Sequence, residues 1–145
     1  MLIGETANLL QGSHRPPMNT KIDTPNAPPP FSNYSQAVEV PAGARTLHVS
    51  GQVGNTTAGE LPEDSVEQHE QAWRNVFAIL EAAGMSKTDM VDVLAIVNHP
   101  DQVPIYRQVR DRMLDGHQCA STMLVCGLAS PDWKVEIAVK ASKTS

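Results

Sequence analysis

One carboxylate stands in the otherwise apolar alternation of "WKVEIAVK", residues 133 to 140. Trp133, Val135, Ile137 and Val139 take one face of that strand; Lys134, Glu136, Ala138 and Lys140 take the other. Two readings of Glu136 are open. It is one member of a solvated face of mixed charge, or it is a carboxylate at a subunit boundary, where partial burial would raise its pKa and suit it to acid–base work. Upstream, "HQCASTMLV" supplies small, weakly polar groups, Cys119, Ser121 and Thr122, on another strand. A Pro-Asp turn, Pro131–Asp132, joins the two strands.

The other reactive side chains form no motif of their own. His14, His48, His69, His99 and His117 are scattered, with no His-x-x-x-His pair and no Cys/His set, so no metal is expected. "GQVGNTTAG" has glycines but neither a phosphate-loop lysine nor a dinucleotide-binding register. His117 lies two residues from Cys119, but geometry and not nearness in sequence makes a nucleophile–base pair.

These groups sit in a chain of 145 residues, the size of one domain. Aromatics are only 4%, so aliphatic side chains must fill the core. The net charge of −5 argues against a nucleic-acid binder, which needs a basic footprint to displace counterions. No apolar run approaches the ~18 residues of a membrane span. Cys119 and Cys126 are seven apart on one predicted strand, hence on opposite faces and not paired with each other. Free thiols and the lack of a signal-like start point to the cytoplasm. Residues 1–17 read as an extension, and residues 18–145 as a single domain.

The positioning elements follow from periodicity. "TPNAPPPFSN" is an extended lead-in, because Pro28, Pro29 and Pro30 lack donors. Strands are predicted over 34–40 and 45–51. A helix follows from Ser65, with Gln68 completing a capping box and Gly84 as the left-handed stop. Residues 90–97 form a strand. "DQVPIYRQVRDRMLDG" is a second helix, capped by Asp101 and stopped by Gly116. The order is β-β-α-β-α-β-β: an α+β fold with two helices on one face of a mixed sheet. Leu47, Val49, Leu94, Met123 and Val125 cannot all face helices, so the other sheet face invites a partner subunit.

Taken together, "NAPPPFSNYSQAV", "VSGQV" with "GEL" after it, a helix ending "ILEAAG" and the terminal "KVEIAVKA" resemble the Rid (YjgF) family of reactive-intermediate deaminases, also called endoribonuclease L-PSP. The resemblance runs from Thr24 to Ala141, and the family's usual start falls near Met18. It implies a chorismate-mutase-like homotrimer with helices outside and three small-molecule clefts between subunits. Deaminating members hydrolyse enamines and imines such as 2-aminoacrylate to ammonia and a 2-keto acid, without cofactor or metal. Water attacks the imine carbon while an arginine grips the substrate carboxylate.

Carried over by position, Tyr34 matches the family's site tyrosine, Gly51 a backbone contact, and Glu136 the residue that places the water. The arginine belongs to a "PAR(S/T)" motif fifteen residues before that glutamate. An ungapped alignment puts Ser121 of "CAS" there. Losing a charge-assisted hydrogen bond removes about 1.5–3 kcal/mol of binding. The resemblance therefore implies a substrate other than simple 2-imino acids, in a cleft lined by Ser121, Thr122 and Cys119. Arg107 on the second helix is the candidate for a compensating anion contact, against its reading as a surface charge; Arg110 and Arg112 are expected in solvent. The competing functions are a non-catalytic ligand-binding or regulatory trimer and an endoribonuclease.

Overall fold

The computed structural model describes residues 17–145, so all but the last residue of the expected extension, His14 included, lies outside the described residues. Six strands and two helices follow one another: β1 Thr20–Ile22, β2 Ala37–Glu39, β3 Arg45–Gln52, α1 Ser65–Ala82, β4 Met90–Val97, α2 Gln102–Leu114, β5 Ala120–Val125 and β6 Val135–Lys143. A 3-10 turn, Lys87–Asp89, leads into β4. β3-β6-β4-β5 is the order of the main sheet, with β6 antiparallel to both neighbours and β5 parallel to β4. A parallel pair cannot be closed by a hairpin, and α2 provides the crossover.

Three expectations about strands change. β1 is additional; it pairs with β2 in a separate ribbon, Lys21 opposite Val38. Three exposed residues carry no periodicity that would announce a strand. β2 is shorter than the predicted 34–40, because Gln36 serves the proline loop instead. Its backbone N–H donates to Asp23 Oδ1, its Nε2 to the Pro28 carbonyl (3.0 Å), and its Oε1 accepts from Thr24 N–H (2.6 Å). The last two strands are not a pair either: β4 lies between β5 and β6.

The helix ends also differ in detail. Asp64, not Ser65, caps α1, its carboxylate accepting from Glu67 N–H at 3.0 Å. Gln68 does not reach back to the cap. Its amide donates to the Pro62 and Asp132 carbonyls and accepts from Lys134 N–H, fastening α1 to the entry of β6. Gly84 (φ +71°) closes the helix as expected, with Met85 N–H returning to the Leu80 carbonyl. Asp101 makes no side-chain cap on α2, and Asp115 joins Gly116 in the left-handed turn that ends it.

Both helices lie on one side of the sheet. Trp73, Val76, Leu80, Tyr106 and Val109 meet Val93, Ala95, Val97, Val135, Ile137 and Val139, all fully or nearly fully buried. The strand registers carry Leu47, Val49, Ser121, Met123 and Val125 to this same side. Of the five apolar residues expected not all to face the helices, Leu94 is the one on the uncovered face, where Ile96 and Leu124 join it. Leu94 is 36% and Leu124 48% exposed, so this face remains partly apolar and open in the single chain.

Candidate functional site

Glu136 pairs across the ladder with Ile96 and lies half-buried on the uncovered face. Its side chain crosses the backbone of Gly51. A Cβ at position 51 would sit 2.6 Å from Glu136 Oε1 and 2.9 Å from its Cγ. The β3–β6 register shifts between Val49 and Gln52, the bulge that brings the Gly51 backbone to that carboxylate. Among the described residues Glu136 takes part in no ion pair. Beyond it on the same face, His48, Asp92, Leu94, Thr122, Ala138 and Lys140 surround a shallow hollow of about 280 Å³.

Tyr34 stands on the loop between β1 and β2. Its loop is held to β5 by the Ser35 N–H, which donates to the Cys119 carbonyl at 3.0 Å. Tyr34 Oη accepts from the Phe31 N–H (3.1 Å), so its own proton is free to donate outward. The ring borders two spaces. One is an open groove of about 680 Å³ along the proline loop, with Asp23, Gln36 and Gln118. The second, of about 210 Å³, is lined by Ser32, Arg107, Arg110, Ser121 and Met123. The structure thus brings Tyr34, Ser121 and Arg107 together.

The remaining groups do not join them. Thr122 follows Ser121 on β5 and therefore turns to the uncovered face, beside Leu94. Cys119 is 3% exposed and belongs to the core. Burial above all, with the Asp92 charge, pushes its thiol up to about 12, against a smaller opposing pull from Arg110. It is neither cleft lining nor a thiolate nucleophile. His117 Nε2 donates to the Met90 carbonyl at 2.8 Å and is committed there. Cys126 is exposed, and both thiols are free. Trp133 is half-buried just before β6.

Glu136 with Gly51, and Tyr34 with Ser121, occupy opposite faces of the sheet, and β4 separates β6 from β5. No reacting atom can touch both sets within one chain.

Sequence reasoning assigned Arg110 to solvent, and the structure corrects this: it is 4% exposed. It follows Tyr106 by one turn on the inner stripe of α2, lies 5.7 Å from that ring, and donates to Ser32 Oγ (2.6 Å) and Asp111 Oδ1 (3.0 Å). The signal was its place in the apolar stripe, shared with Val109. Arg112 is exposed as expected and pairs with Glu70. Among the described residues no three His, Cys, Asp or Glu side chains gather as a metal site. Nor is any described helix long and apolar enough to cross a membrane.

The family model for endoribonuclease L-PSP matches residues 24–143. A RutC family protein of Aquifex aeolicus is 47% identical over 74 residues, 50% of this chain and 57% of that protein. The 2-iminobutanoate/2-iminopropanoate deaminase of Homo sapiens is 40% identical over 93 residues, 60% of this chain and 66% of that one. The chain thus spans less than two thirds of the length of these curated relatives. Among solved structures, the Rid-family protein YyfB of Yersinia pestis superposes with a TM-score of 0.75 at 31% identity, covering 86% of this chain and 98% of that one. E. coli TdcF, crystallised with bound serine, gives 0.64 at 28% identity, covering 86% and 99%.

Proposed function

The chain belongs to the endoribonuclease L-PSP family, also known as Rid or YjgF, and from this premise we propose that it is a cofactor-free hydrolase of the enamine/imine deaminase type, acting as a cytoplasmic homotrimer. Its site is shared: Tyr34, Ser121 and Arg107 of one protomer face Gly51 and Glu136 of the next. One observation carries this reading. Two sets of polar groups, each open and lacking a counterpart, lie on opposite faces of one sheet, so only a second copy can complete either. The partly apolar uncovered face is the surface on which copies meet. The free thiols suit a reducing compartment.

The chemistry follows from the groups. A substrate with a C=N carbon exposed in the cleft takes up water there. The Glu136 carboxylate holds that water and accepts its proton as the C–O bond forms and the C=N electron pair moves to nitrogen. Glu136 returns that proton to nitrogen, giving the neutral carbinolamine; the carboxylate then takes the hydroxyl proton as the C=O bond forms and passes it to the departing nitrogen, so the C–N bond breaks and ammonia leaves a carbonyl compound. Water and imine go in; ammonia and ketone come out. A relative that is a 2-iminobutanoate/2-iminopropanoate deaminase, and another crystallised with serine, favour a substrate of amino-acid size.

A second reading, a ligand-binding or regulatory trimer without catalysis, is favoured by Ser121, which stands where the ungapped alignment puts the family's arginine. An endoribonuclease role fits a net charge of −5 poorly. Complementation between protomers tests the shared site. Tyr34→Ala and Glu136→Ala chains, each inactive in ammonia release, are mixed one to one and reassembled. About one quarter of the junctions then combine an intact Tyr34 side with an intact Glu136 side, so about a quarter of wild-type activity returns. No recovery in properly mixed trimers rejects the shared site. Wild-type protein that binds small 2-oxo acids but releases no ammonia from any imine supports the regulatory reading.

A further inference from the structure

The wall of the Tyr34 cavity includes a side chain that the hydrolytic chemistry does not use. Phe31 is 85% exposed, more than any other large apolar residue among the described residues. Its backbone is nevertheless held in place. Pro28, Pro29 and Pro30 precede it, each with φ fixed by its ring. The Gln36 amide donates to the Pro28 and Thr24 carbonyls at 3.0 and 3.1 Å. The Phe31 N–H donates to Tyr34 Oη (3.1 Å), the Tyr34 N–H to the Ser32 carbonyl (3.0 Å), and Arg110 Nη2 to Ser32 Oγ (2.6 Å). A phenyl ring is thus presented from a fixed backbone, with only its own side-chain torsions free.

An apolar ring gains from being covered in proportion to the area removed from water, and none of the described residues covers this one. What it borders is the space of about 210 Å³, room for about seven waters at roughly 30 Å³ each and enough for a group the size of a phenyl ring. Met123 lines the same space. It is partly buried and packs against the core. Its thioether is polarisable and suits contact with the edge of an aromatic group. The buried charge is already met: Arg110 is tied to Asp111, to Ser32 and to the Tyr106 ring. Tyr34 and Ser121 contribute hydroxyls. The wall lacks a partner for its apolar surface, and the ligand group that supplies one is planar and apolar, lying offset against the ring.

We propose that Phe31 is a specificity-determining residue: with Met123 it forms an apolar wall that receives a large apolar substituent on the C=N carbon, aromatic above all. The substrate class is then an imine, or its enamine tautomer, carrying a phenyl-sized group, with the matching carbonyl compound as product. This rests on the reading of the Tyr34 cavity as one half of the ligand site. A one-carbon substituent would leave the Phe31 ring uncovered and gain little from it. The held backbone matters for the same reason, since a wall already in place loses little freedom when the ligand arrives. The other occupant open to an exposed ring is the neighbouring copy; Phe31 would then hold the assembly together and would not sort ligands.

The test is calorimetric titration of the intact protein with 2-oxo-3-phenylpropanoate and, in parallel, with 2-oxopropanoate. Both carry the same 2-oxo acid group, so their ratio reports the substituent alone. The expected result is that the phenyl compound binds more tightly by about tenfold or more. Phe31→Ala should remove most of that preference while leaving the binding of 2-oxopropanoate little changed, and Phe31→Leu should keep part of it, because apolar area remains. Neither substitution should move the melting temperature or the sedimenting species, since the side chain is exposed. Equal binding of the two compounds, no binding of either, or a Phe31→Ala chain that retains the wild-type preference would each overturn the wall. Dissociation of the assembly in Phe31→Ala would overturn it too, by making the ring a contact between copies. Ammonia released at equal rates from the imines of alanine and phenylalanine, and abolished in Glu136→Gln, would leave the catalytic reading standing while the wall falls. Phe31-dependent binding of the phenyl compound without any turnover would do the reverse.

Discussion

Replacing Gly51 with alanine perturbs the candidate site at one atom. The new Cβ would lie 2.6 Å from Glu136 Oε1, 2.8 Å from its Cδ and 2.9 Å from its Cγ, so the carboxylate arm cannot stay where it is. Gly51 has no positive φ that an alanine would strain. Alanine is favoured over glycine in regular structure by about 0.5–1 kcal/mol through the unfolded chain. Driving the glutamate off its rotamer costs about 0.5–1.5 kcal/mol. These terms nearly cancel, so stability should change by less than about 1 kcal/mol, or roughly 2–4 °C in a domain of this size. Activity should not be spared, because general acid–base groups contribute about 10²–10⁴ in rate and act only at hydrogen-bonding distance.

The expected outcome is a near-normal melting curve with ammonia release reduced about a hundredfold or more, close to the level of Glu136→Gln. The double variant Gly51→Ala with Glu136→Ala should melt above the sum of the single changes, because the clash is gone. Turnover within tenfold of wild type, with Glu136 displaced, would refute the reasoning: the carboxylate would not be needed at the Gly51 backbone. Loss of more than about 3 kcal/mol of stability would refute it differently, by making Gly51 a packing position.

Two further outcomes follow from other parts of the fold. His69 is fully buried, and burial first, with the Lys134 charge, lowers its pKa from 6.5 against the opposing hydrogen bond to Gln102. Below about pH 6.5 the unfolded chain takes up a proton that folded His69 refuses, so its contribution falls as pH drops, by at most about 1.4 kcal/mol per unit; His69→Gln should flatten that dependence in thermal melts between about pH 5 and 7. On the uncovered face, Leu124→Lys places a charge where copies are proposed to meet, and sedimentation should show a shift toward the 15.7 kDa protomer with loss of activity; an unchanged assembly would mean that copies meet elsewhere.

The elements with strong periodicity were legible, and those made by pairing were not. α1 and β4 follow directly from side chains that alternate or recur over many residues. β1 has three residues, and its partner is fifteen positions away, so no local pattern exists to read. Sequence order also hid the sheet order: β5 and β6 are adjacent in the chain, yet β4 enters between them because a parallel strand delivered by α2 must lie on its outer side. That single insertion reassigns the candidate site. A strand pattern shows which residues share a face, but not which face of a four-stranded sheet the helices cover. Ser121 and Glu136 could therefore be read as one lining until the register set them on opposite sides. Arg110 was missed for a related reason. A charged residue on a helical stripe reads as solvated unless its partners are known, and Ser32 lies 78 residues away in sequence.

The opposite placement of the two half-sites has a consequence for how this sequence is constrained. In a monomeric enzyme, binding and water-holding groups are tied by one chain, and a shift in one element perturbs both. Here Tyr34 with Ser121 and Glu136 with Gly51 are separated by the middle of the sheet, where Val93, Ala95, Ile137 and Val139 are almost fully buried. Each half is supported locally: Glu136 by the Gly51 bulge, Tyr34 and Arg110 by the proline loop and α2. Their mutual distance in a shared site is then set by contacts on the uncovered face, around Leu94, Ile96 and Leu124, and by no residue of either half. In the proposed shared site, a substitution on the α2 side leaves the Glu136 side untouched.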